Sequence, residues 1–338
     1  MSSAAPDETR IGLVEAAGKS IARGSKSFRF ASQIFDLETR ERSWLLYAWC
    51  RACDDITDGQ TLGHDAQAPD HPDERIAFIR ANTDAALAGK VTGLVPFDAL
   101  MTVAAETGIP ADLPLDHLAG FARDAAGWSP QTENDLLSYC YQVAGAVGVM
   151  MAHVMGVPSA ERDTLDRACD LGIAFQLANI ARDIVDDAKV GRTYLPADWL
   201  AAEGSTGADL SDPRHRPALA SMTRRLADLA ERYRQSSKVG AARLPFRSRW
   251  AVLSAAGIYG EVATRAATTE CQSPISTPGP RRYRNIAAPS ATRWRTCPAR
   301  PLPRHPHQRS GTQGASSTTI RDADTARIGT GRVARPHP

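Results

Sequence analysis

Two acidic runs, Asp54-Asp55-Ile56-Thr57-Asp58 and Asn179-Ile180-Ala181-Arg182-Asp183-Ile184-Val185-Asp186-Asp187, lie inside long stretches whose apolar residues recur every three or four positions. That recurrence is the signature of an amphipathic helix. A carboxylate on the packed side of such a helix loses hydration and needs a partner. The helices must therefore pack so that the two acidic faces meet something that compensates them. Residues three and four apart share a helix face. Tyr47, Arg51, Asp54 and Asp58 form one polar stripe, on a helix that also carries Trp44, Leu45, Leu46 and Trp49. Gln176, Asn179, Asp183 and Asp187 repeat the pattern, flanked by Ile173, Phe175, Leu177, Ile180 and Ile184.

The same periodicity predicts helices over Ile11–Ala22, Arg42–Ile56, Ile76–Leu87 and Leu113–Ala125. Thr132 with Asp135 reads as a capping box that starts a helix through Met155. Ser159 reads as the next N-cap, with Glu161 in a first turn favoured by the helix dipole, and that helix runs to about Asp187. Two more follow near Pro217–Arg234 and Phe246–Tyr259. No alternating strand pattern and no internal repeat is present, so the class is all-α.

Composition narrows the function classes. With 338 residues, 43% hydrophobic, 23% charged and a net charge of +2, the chain has the balance of a globular protein and no whole-chain attraction for nucleic acid. The polar, acidic opening from Met1 to Arg10 is unlike a secretory signal. Val143 to Val157, the longest apolar stretch, falls short of the ~20 residues that cross a bilayer. Six cysteines read as reduced thiols. Cys50-Arg51-Ala52-Cys53 matches C-x-x-C, but it sits in mid-helix without a strand before it and without a second pair to complete a zinc set. His117 and His153 stand singly and read as structural.

After Glu261 the character changes. Arginine, proline, serine and threonine dominate, lysine disappears, and Leu302 is the only leucine. The expected division is residues 1–261 as a catalytic domain and 262–338 as an Arg/Pro-rich tail. That tail is either disordered and basic, touching anionic partners or membrane surfaces, or the product of a shifted reading frame in a GC-rich gene, and the shifted frame is the favoured reading.

Carboxylates one turn apart on two facing helices can hold hard divalent cations, which keep waters while bridging carboxylates to phosphates. Arg51, Arg182 and Arg192 are placed to neutralise further phosphate charge through bidentate contacts. The plainer reading, solvated faces with salt bridges, is weakened because two acidic pairs occur, each with arginine and each in an apolar helix. The segment from Tyr139 to Met151 mixes aromatics, glycines and methionines, which fits either close helix packing or the floor of a tunnel for a long apolar substrate.

Taken together these segments resemble the squalene/phytoene synthase family. Tyr47 through Asp58 resembles its first aspartate-rich signature, and Tyr139 through Gly148 its central motif. Phe175 through Asp187, then Gly191-Arg192-Thr193-Tyr194-Leu195-Pro196, resembles the second signature and the segment after it. Gly24-Ser25-Lys26-Ser27-Phe28 resembles the N-terminal element that contacts diphosphate. The resemblance covers residues 10–261 and is greatest to bacterial phytoene-forming members.

It implies an all-α isoprenoid-synthase bundle around a central cavity, and head-to-head condensation of two geranylgeranyl diphosphates through prephytoene diphosphate to phytoene. It further implies that Asp54, Asp58, Asp183 and Asp187 bind Mg²⁺ or Mn²⁺. Ser27, Phe28, Tyr47, Arg51, Gln176, Asn179, Arg182, Arg192 and Tyr194 would contact the substrate, and Tyr141 would line the cavity as a catalytic aromatic. No NADPH is expected. The protein would be cytoplasmic, touching the inner membrane peripherally and working beside other carotenoid-pathway enzymes.

Three alternatives are carried forward. A head-to-tail elongase fits Asp54-Asp55-Ile56-Thr57-Asp58, but not the Asn-x-x-Arg-Asp-x-x-x-Asp of the second run. A squalene or dehydrosqualene synthase would use farnesyl diphosphate. A non-enzymatic assembly factor would not need all four aspartates.

Overall fold

The computed structural model describes residues 6–24, 29, 31–58, 71–189, 191–207, 210 and 212–268. All belong to one compact unit spanning Met1–Leu302, and among them every regular element is helical. The order is α1 (Pro6–Gly24), α2 (Leu37–Thr57), α3 (Pro72–Leu87), α4 (Val95–Thr107), α5 (Asp112–Ala125), α6 (Glu133–Cys140), a π turn (Tyr141–Gly145), α7 (Ala146–Val154), α8 (Arg162–Lys189), α9 (Ala197–Ala202), a short 3₁₀ turn (Pro213–His215), α10 (Arg216–Ala241) and α11 (Phe246–Thr268).

Helices α1 to α5 form one half of the bundle, with α2 against α1, α3, α4 and α5. Trp49 on α2 is fully buried, and its indole N–H donates to Thr83 Oγ1 on α3 at 3.2 Å. Arg10 on α1 reaches Glu41 at 2.7 Å and Glu106 at 2.6 Å, and Arg42 reaches Glu106 at 2.9 Å, so one carboxylate on α4 ties α1 and α2 together. In the other half, α8 packs on α10, α11, α7 and the π turn. Both α2 and α8 contact α7, which joins the halves and leaves the acidic ends of α2 and α8 a gap to share.

The capping box forms as expected: Thr132 Oγ1 accepts from the Asp135 N–H, and the Asp135 carboxylate accepts from the Thr132 N–H at 2.9 Å. The helix it starts runs on to Val154, within a residue of the expected end, with a π turn set into it at Tyr141–Gly145. Ser159 is not an N-cap; it lies in a turn, and α8 starts three residues later, at Arg162. At the other end, α11 does not stop where the composition changes at Glu261 but continues to Thr268, with Ala263 buried in the core.

The glycines between Tyr139 and Met151 prove to be packing positions. A Cβ on Gly148 would lie 2.3 Å from the Ala168 carbonyl oxygen, and one on Gly172 would lie 2.2 Å from that of Ala144. The backbones of α8 and the π-turn segment therefore touch directly, which no side chain would allow. This fixes the rotation of α8, and so the direction in which its acidic stripe points.

Candidate active site

On α2 the stripe foreseen from spacing is present, but it is not core-facing. The Asp54 side chain is 49% exposed and that of Asp58 44%, so the aspartates rim an opening instead of lying buried. Helical period fixes which residues share a face, not how deep that face sits. Arg51 spans the pair next to it, reaching Asp54 at 3.1 Å and Asp55 at 2.6 Å. Partial burial still pushes the Asp54 carboxyl above its ordinary range. Tyr47, half-buried one turn back, has its phenol raised by desolvation with Arg51 opposing.

On α8, Gln176, Asn179, Asp183 and Asp187 all sit at half-buried positions, whereas Ile173, Leu177, Ile180 and Ile184 are buried. Arg182 grips the adjacent Asp183, Nε to Oδ1 at 2.6 Å. Asp187 is raised to about 6, first by desolvation and then by the charge of Asp183, with Arg192 opposing. Beyond α8, Gly191 has φ 76°, a left-handed turn that glycine adopts freely, and the Arg192 N–H returns to the Asp187 carbonyl at 2.9 Å. The chain thereby turns back, and Arg192 Nη2 comes within 3.8 Å of Asp58 Oδ1 on the opposite helix. Arg192 is the observed bridge between the two motifs.

Tyr194 follows on the same segment, and its position depends on Tyr139 of the central motif and on Trp128 and Asp124, which the sequence did not single out. Its ring stacks on Tyr139 at 5.0 Å, Tyr139 stacks on Trp128 at 5.6 Å, and both phenols donate to Asp124 at the end of α5. Asp124 feels the charges of Arg192 and Asp58, and it acts in turn on Asp54 and Asp187. Only its place in the fold reveals it, because its partners lie 15 and 70 residues away in sequence.

Tyr141 is placed apart from the aspartates. It is 3% exposed on the π turn, its hydroxyl donates to Asp116 on α5, and its acidic neighbours are Asp116 and Asp112. Ser27 and Phe28 lie outside the described residues. Cys50 is pushed by burial to about 12, and Cys53 also well upward, the opposite of what a reactive thiolate needs. His117 and His153 are packed in the core, each 4% exposed.

The candidate donors on the two stripes are oxygens, the carboxylates of Asp54, Asp58, Asp183 and Asp187 with the side-chain amide oxygens of Gln176 and Asn179, all at partly exposed positions. That set suits Mg²⁺ or Mn²⁺ rather than a softer metal. Among the described residues no three acidic, histidine or cysteine side chains close on a point as a finished cage. The arrangement fits an ion that retains waters and is completed by phosphate oxygens. A cavity of about 250 Å³ lies between α8, α10 and α11, lined on one side by Ala174, Phe175, Tyr259 and Ala263 and on the other by Asp228, Glu231 and Arg234 as well as alanines. The Phe175 and Tyr259 rings stack there at 4.0 Å, one residue along α8 from Gln176. No described helix is long and apolar enough to cross a membrane.

Comparison with known proteins identifies the family and the fold. Residues 21–280 match the family model for squalene/phytoene synthase. The chain is 46% identical over 255 residues to 15-cis-phytoene synthase of Pantoea ananas, covering 75% of this chain and 82% of that one. It is 45% identical over 253 residues to 15-cis-phytoene synthase of a Paracoccus species, at the same coverages. Among solved structures, a dehydrosqualene synthase bound to a ligand superposes with a TM-score of 0.68 at 27% identity, over 78% of this chain and 90% of that one.

Proposed function

Because the chain belongs to the squalene/phytoene synthase family, we propose that it is a phytoene synthase that joins two geranylgeranyl diphosphates head to head. The observation that carries the site assignment is Arg192 reaching across the gap to Asp58, which gives the two acidic motifs one shared opening. Phytoene as the product rests on the relatives named above, and geranylgeranyl diphosphate is the substrate whose doubled carbon skeleton matches it.

In this reading Asp54, Asp58, Asp183 and Asp187 hold Mg²⁺ or Mn²⁺ with the substrate diphosphates. Bound there, the ions stabilise the negative charge that develops as diphosphate departs. The protein's own groups do the rest. Arg51, Arg182 and Arg192 take phosphate oxygens, Asn179, Gln176, Tyr47 and Tyr194 orient the diphosphates, and Ser27 and Phe28 are expected from the resemblance to contact them. One allylic C1–O bond breaks, and the double bond of the second molecule forms two new bonds to that carbon. A proton leaves, giving prephytoene diphosphate. Loss of the second diphosphate, rearrangement and loss of a second proton give phytoene, with no net oxidation or reduction. The geranylgeranyl chains run along the apolar side of α8, past Phe175, where water is excluded from the cation. Tyr141, closed in on the π turn beside Asp116, would meet the cation with its aromatic face only where the bound chains open that packing.

A C40 hydrocarbon has to leave into a bilayer, so the reading includes peripheral contact with the cytoplasmic face of the inner membrane and hand-over to later carotenoid enzymes. It also includes the tail. Residues downstream of α11 carry the composition of a shifted frame, and a frame-restored chain is expected to be more active than the present one.

The test supplies purified protein with Mg²⁺, detergent and either geranylgeranyl or farnesyl diphosphate, omits NADPH, and identifies the extracted products. Phytoene from the longer substrate alone is expected. A C30 hydrocarbon from farnesyl diphosphate, or a longer prenyl diphosphate, would overturn the assignment. Failure of both the present and the frame-restored chain to release any hydrocarbon would overturn it as well.

A further inference from the structure

Asp124 is a half-buried carboxylate in the last turn of α5 with no ion pair among the described residues. Its oxygens are satisfied by phenols instead. The Tyr139 hydroxyl lies 3.0 and 2.9 Å from the two oxygens, and the Tyr194 hydroxyl lies 3.0 Å from Oδ1. Burying a charge to anchor two neutral hydroxyls is costly, because a neutral acceptor would hold them at smaller desolvation cost. The charge therefore needs a further reason, and Arg192 supplies one. Tyr194 and Arg192 are two residues apart on one turned segment, and the charges of both Asp58 and Asp124 act on Arg192. The segment is pinned on its other side as well, where the Ala197 and Asp198 N–H groups donate to the carbonyls of Pro130 and Gln131 at 3.0 and 3.2 Å. Arg192 itself has the loosest ion pair of the site, 3.8 Å, and is half-exposed. A single anion at Asp58 would draw it into a closed pair that a diphosphate would have to break. Anions on both sides hold it in the opening.

We propose that Asp124 is a positioning residue of the diphosphate site, which through Tyr194 and its own charge holds Arg192 extended between the two aspartate motifs. This rests on the phytoene synthase reading for what the site binds, but not for how Asp124 is connected. Asp124→Asn keeps an acceptor for one phenol and removes only the charge. Tyr194→Phe keeps the charge and removes the anchor.

The experiment titrates inorganic pyrophosphate with Mg²⁺ into the full chain by calorimetry, for the wild type, Asp124→Asn, Tyr194→Phe, Arg192→Gln and the Asp124→Asn/Arg192→Gln double variant. The thermal midpoint of each is recorded alongside. Affinity is expected to fall about 5- to 10-fold in each single variant, typical of losing one charge-assisted contact. The double variant is expected to be less than about 2-fold weaker than Arg192→Gln alone, because interacting residues are not additive. Wild-type affinity in Asp124→Asn, or losses that multiply in the double variant, would overturn the proposal while leaving the function intact. Should Asp124→Asn lower the midpoint sharply, Tyr194→Phe and a Tyr194→Phe/Arg192→Gln double variant decide by the same two criteria. A wild-type chain that binds no pyrophosphate would instead overturn the reading of the site itself.

Discussion

The two acidic motifs have the same ingredients and different internal electrostatics. On α2, Arg51 stands one turn before its aspartates and spans Asp54 and Asp55, at 3.1 and 2.6 Å. On α8, Arg182 stands beside Asp183 and grips it at 2.6 Å. Asp187 is left with Asp183, Asp186 and Asp124 as like charges and only Arg192 opposing, and burial with that repulsion lifts it to about 6. Arg51 offsets two acids of the first motif within its own helix, whereas the far aspartates of both motifs, Asp58 and Asp187, look to the same Arg192, and it is Asp187 that burial and repulsion lift. The position of one arginine relative to its aspartates thus decides which end of the gap most needs an ion.

The sharpest way to break the comparison is to neutralise each motif in turn. Asp54→Asn and Asp187→Asn are each expected to reduce phytoene formation by about 100-fold or more, the scale of losing a principal electrostatic group at a reacting centre. If activity survives either change, the two motifs do not serve one site. Gly172→Ala displaces one motif without touching the other. Its Cβ would meet the Ala144 carbonyl oxygen at 2.2 Å, so α8 must move off the π turn. A loss of about 2–3 kcal/mol of stability is expected from denaturant unfolding, whereas Gly257→Ala, with nothing within 4 Å, should cost little.

Acid sets the range over which carboxylates can be compared at all. His117 donates through Nδ1 to the Gln142 carbonyl at 3.1 Å, and its buried Nε2 has no partner. Burial holds this ring down to about 4. The unfolded chain takes up a proton near the ordinary 6.5 and the folded one does not until about 4, so stability is full above 6.5 and falls as pH drops through that window. About 2 kcal/mol should be lost between pH 6.5 and 5, and His117→Asn should remove that part of the slope. A wild-type unfolding midpoint that is flat from pH 7 to 5 would contradict the burial argument.

The smallest effect sharpens the comparison most. Asp187 has its folded pKa raised, so its charge costs stability increasingly as pH rises from about 4 to 6, and fully above. In metal-free protein at pH 7, Asp187→Asn should raise the thermal midpoint by ~1–2 °C, since the side chain is half-exposed and solvent screens much of the repulsion. Asp54→Asn should raise it less, because Arg51 already offsets that charge. The reverse order would mean the motifs had been ranked wrongly.

Features set by neighbours in sequence were legible before the structure. The capping box at Thr132 and Asp135, the polar stripes of α2 and α8, and the resemblance built on them all depend on residues within a turn or two. α4 went unread because Val95–Thr107 is apolar on nearly every side, so its face has little contrast. Ser159 misled because a capping residue type was present without the helix starting there. The glycines of the central motif left packing and tunnel equally open until Gly148 and Gly172 were seen against opposing carbonyls. Asp124 carried no local signal, because a carboxylate at a helix end is ordinary until Tyr139 and Tyr194 arrive from elsewhere in the chain.

The most direct measurement is the thermal midpoint of the wild type, Asp54→Asn and Asp187→Asn with Mg²⁺ and a non-reacting thio analogue of geranylgeranyl diphosphate, together and separately. A rise of several degrees is predicted for the wild type only when ion and analogue are both present, by linkage of binding to folding, and it should vanish in either variant. A full rise that persists in one variant would show that the two motifs are separate sites and would contradict the account.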